Sequence, residues 1–570
     1  MSFRAPIPEF RFLLEHVVGF GKVNATQRFA EMDLATVEAI LSEAGKLCEE
    51  VLAPIRRSGD VHPAHLENGV VRTSPGFAEA YRAIAEGGWI AVSARPEYGG
   101  MGLPLTVSTA VNDMMSASCP ALQLNPLMTQ GQIEALENHA SDAIRALYLP
   151  KLVNGEWCGT MNLTEPQAGS DVGALRSKAE PIGDGSYAIT GQKIFISWAD
   201  NDFSENVCHL VLARLPDAAP GTGGVSLFLV PKLIPDPNGE PGVANSLRVV
   251  SLEHKMGLHG SPTAVMQYDG ATGWIVGPEH GGMAAMFTMM NNARLGVGVQ
   301  GIGCAEGAFQ QAFQHAMDRR QGRSPIPDGT GAIVDHADVR RMLATMKAEL
   351  FTARSIALST ATALDMAGAT DDPGWRARAA LLTPIAKAYG TDCGIAVAEM
   401  GIQVHGGMGY IEETGAAQFY RDVRVTAIYE GTNGIQSIDL VGRKMMDDGA
   451  AANRLIEEII SGAQAANHVL PGPSQAVCEA AKRLRDTTEW LVAQRPNERF
   501  AVAVPYLRAF ARVLGGHYHL KAAMAGRGGA REALARFFVA RLLPEHIGLC
   551  AHVREGSEGI DTLGPEALAV

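Results

Sequence analysis

The stretch "SYAITGQKIFIS", Ser186 to Ser197, marks a change of period in the chain. β-branched and aromatic residues gather here in a short run. Asp184-Gly185 stands just before it, a dipeptide that favours tight hairpin turns. "VCHLVLARL" (207–215) and "GVSLFLVPK" (224–232) have the same character. Together they predict a β domain from about 160 to 280.

Helical patterns lie on both sides. In "LATVEAILSEAGKLCEEVLAPI", Leu34, Val37, Leu41, Ala44 and Cys48 recur at helical spacing, and the pattern is expected to stop at Pro54. "PGFAEAYRAIAEGG" opens near Pro75 and closes in glycines. Beyond the β domain, "MAAMFTMMNNARLGVGVQGIGCAEGAFQQAFQHAMDRR" holds no proline, and "VRRMLATMKAELFTARSIALSTATALDMAG" is a second long amphipathic segment. Further helical runs follow residue 451, with "LPGPSQ" read as a linker. The order is helical, β, helical, helical. It does not alternate strand with helix, which argues against a doubly wound sheet.

At 570 residues the chain is too long for one core and predicts three or four domains. A net charge of −13 argues against general nucleic-acid binding. Eight cysteines are scattered with no C-x-x-C pair, which is cytosolic usage. The N-terminal "MSFRAPIPEFRFLLEHVVGF" is interrupted by Pro6, Pro8, Glu9 and Arg11 and lacks a signal-peptide core. No apolar run approaches the roughly 20 residues that cross a bilayer. A cytoplasmic protein is expected.

Several motifs need weighing. "GVGVQG" (Gly296, Gly298, Gly301), with Asp318 further on, matches the dinucleotide fingerprint. That fingerprint needs a preceding strand, and "MFTMMNNAR" reads as helix. Close helix–helix packing is the better account of these glycines. "HYH" (517–519) and "HIGLCAH" (546–552) lack a complete metal shell and are expected at helix ends or on the surface. "NLTEPQAGSDVG", Asn162 to Gly173, can aim N–H groups and hydroxyls at an anionic or carbonyl-bearing ligand, or it is an ordinary loop.

"TAIYEGTNGIQSIDLVGRK", Thr426 to Lys444, places Glu430 at an apolar junction before a helix. Glu430 either flanks that helix, where the dipole favours an anion, or is a base whose pKa is raised by desolvation.

"NLTEPQAGSDVG", "KIFIS" (193–197), "QVHGGMGY" (403–410), Arg421-Asp422 and "YEGT" (429–432) follow one another in an order and spacing that resemble the acyl-CoA dehydrogenase family of flavoproteins. The resemblance runs through about residue 447. It implies an α+β, mainly α fold: an N-terminal helical domain (1–158), a central β-barrel-like domain (159–280), a C-terminal four-helix bundle domain (281–447) and an additional C-terminal helical domain (448–570). Longer bacterial members carry such an extension, 3-(methylthio)propanoyl-CoA dehydrogenases among them, and the N-terminal "APIPEFRFLLEHVVGF" is similar to theirs.

The resemblance also implies roles. Glu430 would be the catalytic base, taking the α-proton of an acyl-CoA thioester while FAD accepts hydride from the β-carbon. Met161, Leu163, Thr164, Phe195 and Ser197 would line the flavin. Gly169 and Ser170 would approach cofactor or CoA. Arg319 and Gln321 would reach the FAD of a neighbouring subunit, and Gln403, Gly406 and Gly407 would hold its adenosine portion. Thr432 and Gln436 would follow the base toward the cofactor. Asn291 and Arg294 would lie on the substrate side. Met161, Phe195, Ser197 and Gly434 depart from the family's common Tyr, Trp, Thr and Glu.

The expected product is a trans-2-enoyl-CoA, from a short- or medium-chain or 3-(methylthio)propanoyl substrate. The expected electron acceptor is an electron-transferring flavoprotein, and the expected assembly a homodimer. An acyl-CoA oxidase and a nucleic-acid-associated flavoprotein are the alternative readings. The latter rests on residues 481–541, which hold 12 basic and 4 acidic side chains. Docking of that stretch on the acidic body, or on a second subunit, is preferred to a membrane or nucleic-acid contact.

Overall fold

A computed structural model describes residues 3–560 and 562–570. They form two units, one of residues 42–296 and one of residues 6–41 with 297–570.

The first unit joins helices to a barrel. Seven strands make the main sheet: β1 (Trp157–Asn162), β2 (Lys178–Pro181), β3 (Tyr187–Ser197), β4 (Asn206–Arg214), β5 (Val225–Pro231), β6 (Leu247–Leu252) and β7 (Thr263–Ile275). β7 pairs with β3, β3 with β2, β2 with β4, β4 with β5, and β5 returns to β7. The ring is closed, so those five strands leave no free edge. β6 is added antiparallel to β7 and β1 parallel to β4. The Asp184-Gly185 turn joins β2 to β3 with Ile182 N–H donating to Ser186 O at 3.0 Å. Ile189, Ile196, Val211, Phe228, Met266 and Tyr268 fill the inside. The barrel expected from the sequence is therefore present.

Helix α1 (Leu105–Ser118) is buried at almost every position, and α2 (Pro120–His139) at most. Some of their buried polar groups satisfy one another. Gln123 Nε2 donates to Asn112 Oδ1 at 3.1 Å, and Asn112 Nδ2 to Gln130 Oε1 at 3.0 Å. The helix from Leu34 does not stop at Pro54. A π-helical turn over Cys48–Leu52 takes up one extra residue, and helix Ala53–Val61 restarts with Pro54 in its first turn. A hairpin, His65–Glu67 with Val70–Arg72, lies inside the region read as all-helical. Its Val71 joins the barrel core, a contact that local periodicity cannot announce.

Helix α3 (Gly282–Asp318) begins in this unit. There Asn292 Nδ2 donates to Glu134 Oε2 at 2.7 Å. Burial, with Glu137 adding to it, pushes Glu134 up to about 7. Between the unfolded value of 4.5 and 7 the folded chain holds a proton that the unfolded chain releases. Stability from this group is full below 4.5 and is lost as pH rises through 7. We expect Glu134→Gln to raise unfolding free energy at pH 8 by about 1–3 kcal/mol and to change little at pH 5, read by denaturant melts.

The second unit is helical. The rest of α3 meets α4 (Ala337–Ala369) through the Glu306–Arg354 pair, and α5 (Pro373–His405) at Ala386 and Gly390. The fourth member of this bundle is broken into α6 (Ala416–Val423) and α7 (Asn433–Val441), both against α5. A Cβ on Gly298 or Gly301 would lie 2.6 or 2.5 Å from the backbone oxygens of Ala386 and Gly390. The G-x-G-x-x-G glycines are thus a helix-crossing device, as expected.

"LPGPSQ" is not a linker. Pro471 and Pro473 open helix Pro471–Val492, where missing N–H groups have no helical partner to lose. His517 and His519 are buried in mid-helix, away from the expected helix ends or surface, whereas His546 and His552 lie in the first and last turns of helix Glu545–Arg554, His546 buried and His552 exposed. His519 packs between Phe351 and Phe538, with ring centroids 4.5 and 4.4 Å away, and burial pulls it down to about 3. Among the described residues no His, Cys, Asp and Glu cluster could hold a metal. No helix among them is long and apolar enough to cross a membrane.

The basic extension docks on its own unit. Arg512 Nη1 donates to Glu349 Oε1 at 2.5 Å, and Arg531 forks onto Glu9 at 2.9 and 2.5 Å. Burial opposes ionisation of Glu9, but the Arg531 bonds win and hold it at about 2. Helix Ala503–Ala525 lies against α4, α5 and α7.

Candidate active site

In the first unit the site residues gather at the end of β1 and on β3. Asn162 closes β1 in a buried polar net. Its Nδ2 donates to Thr160 Oγ1 at 2.8 Å, and its Oδ1 accepts from Tyr268 OH at 2.9 Å. The chain then leaves the sheet as the loop holding Leu163, Thr164, Gly169 and Ser170. Met161, Leu163 and Thr164 are half-buried, whereas Gly169 and Ser170 are exposed.

Glu165 organises that loop from within. It accepts from Arg176 N at 2.7 Å, Ser177 N at 3.0 Å, Ser177 Oγ at 2.6 Å and Lys193 Nζ at 2.8 Å. Lys193 is fully buried and also donates to Leu163 O at 3.0 Å. Burial works against the Glu165 carboxylate, but the Lys193 charge and hydrogen bonds keep it ionised, down to about 2. Burial lowers Lys193 to about 8, so both partners are charged at neutral pH.

Opposite the loop, β3 carries a bulge. Ile196 pairs with Ala264 and Lys193 with Met266, so Ile194 and Phe195 together face one residue, Val265. A bulge re-aims a side chain. Phe195 takes a left-handed φ of 60° and leaves 59% of its surface exposed. Ile194 N–H donates to Thr164 O at 2.9 Å, which ties this bulge to the loop. Ser197, half-buried, ends the strand opposite Thr263. An exposed aromatic held in a strained backbone beside the half-buried hydroxyl residues Thr164 and Ser197 fits a planar ring cofactor. Asn291 and Arg294 sit one turn apart on α3, Asn291 exposed and Arg294 buried.

In the second unit the break between α6 and α7 carries Glu430. Thr432, not Glu430, caps α7, its side chain accepting from Ile435 N at 3.3 Å. Glu430 therefore flanks the start of α7 without capping it. Glu430 has φ 57° and Gly431 φ 82°, two consecutive left-handed residues. For Glu430 that conformation costs about 1–3 kcal/mol and persists only where neighbours over-determine it. The neighbours are present. Gln436 Nε2 donates to Glu430 O at 3.0 Å, and Lys387 Nζ to Gly431 O at 2.9 Å. Gln436 is fully buried, and its Oε1 has no partner among the described residues. Tyr429 OH donates to Gln300. Burial, and then the Glu430 charge, keep the Tyr429 hydroxyl protonated well above its usual range.

Arg319 and Gln321 stand exposed just past the end of α3. Gln403, Gly406 and Gly407 are exposed at the end of α5. The His315 and His405 rings stack at 4.4 Å and bring these two helix ends together. Gly406 has φ 61°, and a Cβ on it or on Gly407 would meet nothing within 4 Å. This is open backbone of the kind that accepts a ligand.

Glu165, Lys193 and Lys387 were not singled out in the sequence. Glu165 and Lys193 lie within the quoted motifs but look like surface charges there. Lys387 is the only charge between Arg378 and Asp392, and that isolation is the signal that marks it.

Family descriptions cover both units. "Acyl-CoA dehydrogenase, N-terminal domain" matches residues 35–156. The family's "middle domain" matches 160–271 and its "C-terminal domain" 280–446. "Acetyl-CoA dehydrogenase C-terminal like" matches 454–563. A 3-methylmercaptopropionyl-CoA dehydrogenase of Ruegeria pomeroyi is 44% identical over 89% of this chain and 88% of its own. A butyryl-CoA dehydrogenase of Syntrophomonas wolfei is 36% identical over 74% of this chain and 72% of its own.

Among solved structures, Caenorhabditis elegans ACDH-11 in complex with C11-CoA superposes with a TM-score of 0.80 at 21% identity, covering 95% of this chain and 92% of that one. An acyl-CoA dehydrogenase of Bacillus anthracis complexed with FAD gives 0.73 at 18%, covering 95% and 91%. At those identities the two structures speak to the fold.

The chain belongs to the acyl-CoA dehydrogenase family, extension included. It is an oxidoreductase of that class, and FAD is the family's cofactor.

Proposed function

We propose that this dehydrogenase oxidises a short acyl-CoA thioester across Cα–Cβ, with Glu430 as the base that removes the α-proton. The observation that carries this reading is the Glu430–Gly431 turn, whose strained backbone is held from both sides by Gln436 and Lys387. A fixed carboxylate loses little freedom on reaching its proton, and orientation of that kind contributes strongly to rate. N–H donors near the thioester oxygen would stabilise enolate-like charge, and the Glu430 backbone N–H would be one of them.

Bound FAD supplies the acceptor for the β-hydrogen and its electron pair. Met161, Leu163, Thr164, Phe195 and Ser197 would hold its ring system. Gly169 and Ser170 would meet cofactor or CoA, and Asn291 and Arg294 the substrate. Gln403, Gly406 and Gly407 would take the adenosine portion. Arg319 and Gln321, exposed at a helix end, would serve the FAD of a second copy, which makes a homodimer the working assembly. Thr432 and Gln436 would face the cofactor from the base's own loop. An electron-transferring flavoprotein is the proposed acceptor.

The R. pomeroyi relative acts on a methylmercaptopropionyl thioester, so 3-(methylthio)propanoyl-CoA is the first substrate to try. The test is an anaerobic panel of acyl-CoA thioesters from propanoyl to long chain, including 3-(methylthio)propanoyl, read by loss of flavin absorbance. We expect butanoyl- and 3-(methylthio)propanoyl-CoA to exceed a dodecanoyl chain by at least ~10-fold in kcat/KM. Failure of every thioester to reduce the flavin would refute the assignment.

A further inference from the structure

We propose that Lys387 is a positioning residue for catalysis: its buried ammonium fixes the backbone turn that aims Glu430. The proposal rests on Glu430 being the base. Lys387 sits in the middle of α5 and is fully buried. A buried ammonium is costly unless its donors find partners. Here Nζ donates to Gly431 O at 2.9 Å and to Asn433 Oδ1 at 3.0 Å. Hydrogen bonds from a charged donor are stronger than neutral ones.

The next turn of α5 grips the same loop. Asn433 Nδ2 donates to Asp392 Oδ1 at 2.7 Å, to Thr391 Oγ1 at 3.0 Å and to Ala388 O at 3.3 Å. Gln436 holds the preceding carbonyl, that of Glu430. The peptide groups on both sides of Gly431 are thereby fixed. Glu430 could otherwise relax from φ 57° to an ordinary conformation and swing its carboxylate away.

α5 is itself anchored near this point. Tyr389, two residues on, donates to Glu349, and Arg512 of the C-terminal extension donates to Tyr389 OH at 2.9 Å and to Glu349 Oε1 at 2.5 Å. The extension thus braces the helix that holds the catalytic turn.

The test uses full-length, FAD-loaded protein and one acyl-CoA that reduces the parent. Lys387→Met is expected to lower the limiting rate of flavin reduction about 10²-fold, since misplacement of a catalytic group by about 1 Å has that effect. KM and FAD content are expected to stay within about threefold, a split that a general loss of structure would not give. Asn433→Ala, at a half-buried helix start, covers the case in which Lys387→Met does not fold. It should lose about 10-fold in rate with KM unchanged.

Reduction within twofold of the parent in whichever variants fold would overturn the proposal. So would rate, KM and FAD content falling together. Glu430→Gln run alongside separates the two claims. If it reduces at the parental rate, the base assignment fails. If it is inactive while Lys387→Met is fully active, only the positioning role fails.

Discussion

Glu430→Gln should retain FAD, bind acyl-CoA and reduce its flavin at least ~10³-fold more slowly than the parent, in line with the 10²–10⁴-fold that general-base removal typically costs. The amide keeps the shape of the side chain and cannot accept the α-proton. The turn should survive, because it is held through backbone carbonyls: Gln436 grips that of Glu430 and Lys387 that of Gly431. Stopped-flow absorbance under nitrogen reads the effect directly. A parental rate in a variant with full FAD content would remove Glu430 from the chemistry.

Glu165→Ala carries the second large effect. The substitution leaves Lys193, fully buried, with its ammonium bonded only to Leu163 O, and it strips acceptors from Arg176 N, Ser177 N and Ser177 Oγ. Removing one partner of a buried ion pair costs about 3–5 kcal/mol. The loss falls on the loop of Leu163, Thr164, Gly169 and Ser170, so cofactor retention should fall with stability. Denaturant melts and the flavin-to-protein absorbance ratio measure the two together. The pH profile follows from the same pair. Glu165 is held at about 2 against 4.5 unfolded. Its stabilisation is therefore complete above 4.5 and lost as pH falls through 2. The Ala variant should lose that part of the parent's acid sensitivity.

Most of the fold was legible because each region states its own period. The three runs around "SYAITGQKIFIS" became β3, β4 and β5, and the proline-free run after residue 282 became α3. The misread places are those where tertiary context overrules a local signal. Pro54 looked like a stop, but a π-helical turn before it makes position 54 a helix start. The prolines of "LPGPSQ" were read as a break and instead open a helix. His517 and His519 looked superficial because imidazole is polar. In helix Ala503–Ala525 both are buried, His519 between Phe351 and Phe538 and His517 beside Gly462, and burial lowers both to about 3.

The candidate site was legible where its residues sit in short motifs and hidden where support comes from far along the chain. Glu430 stood out as a carboxylate among apolar neighbours. Nothing local says that Lys387, more than forty residues earlier, reaches Gly431, or that Arg512 braces the helix between them. Those links exist only once α5 is laid beside the break between α6 and α7. Phe195 could be named in the sequence, but its exposure and left-handed φ depend on a bulge set by the register with β7.

The central claim is that the carboxylate of Glu430 takes a proton from the α-carbon of the thioester. Incubation of FAD-loaded enzyme with acyl-CoA in deuterated water, followed by mass analysis of the recovered thioester, observes that proton. The account predicts α-deuterium incorporation with the parent and none above background with Glu430→Gln. Incorporation at the parental rate in the Gln variant would contradict it.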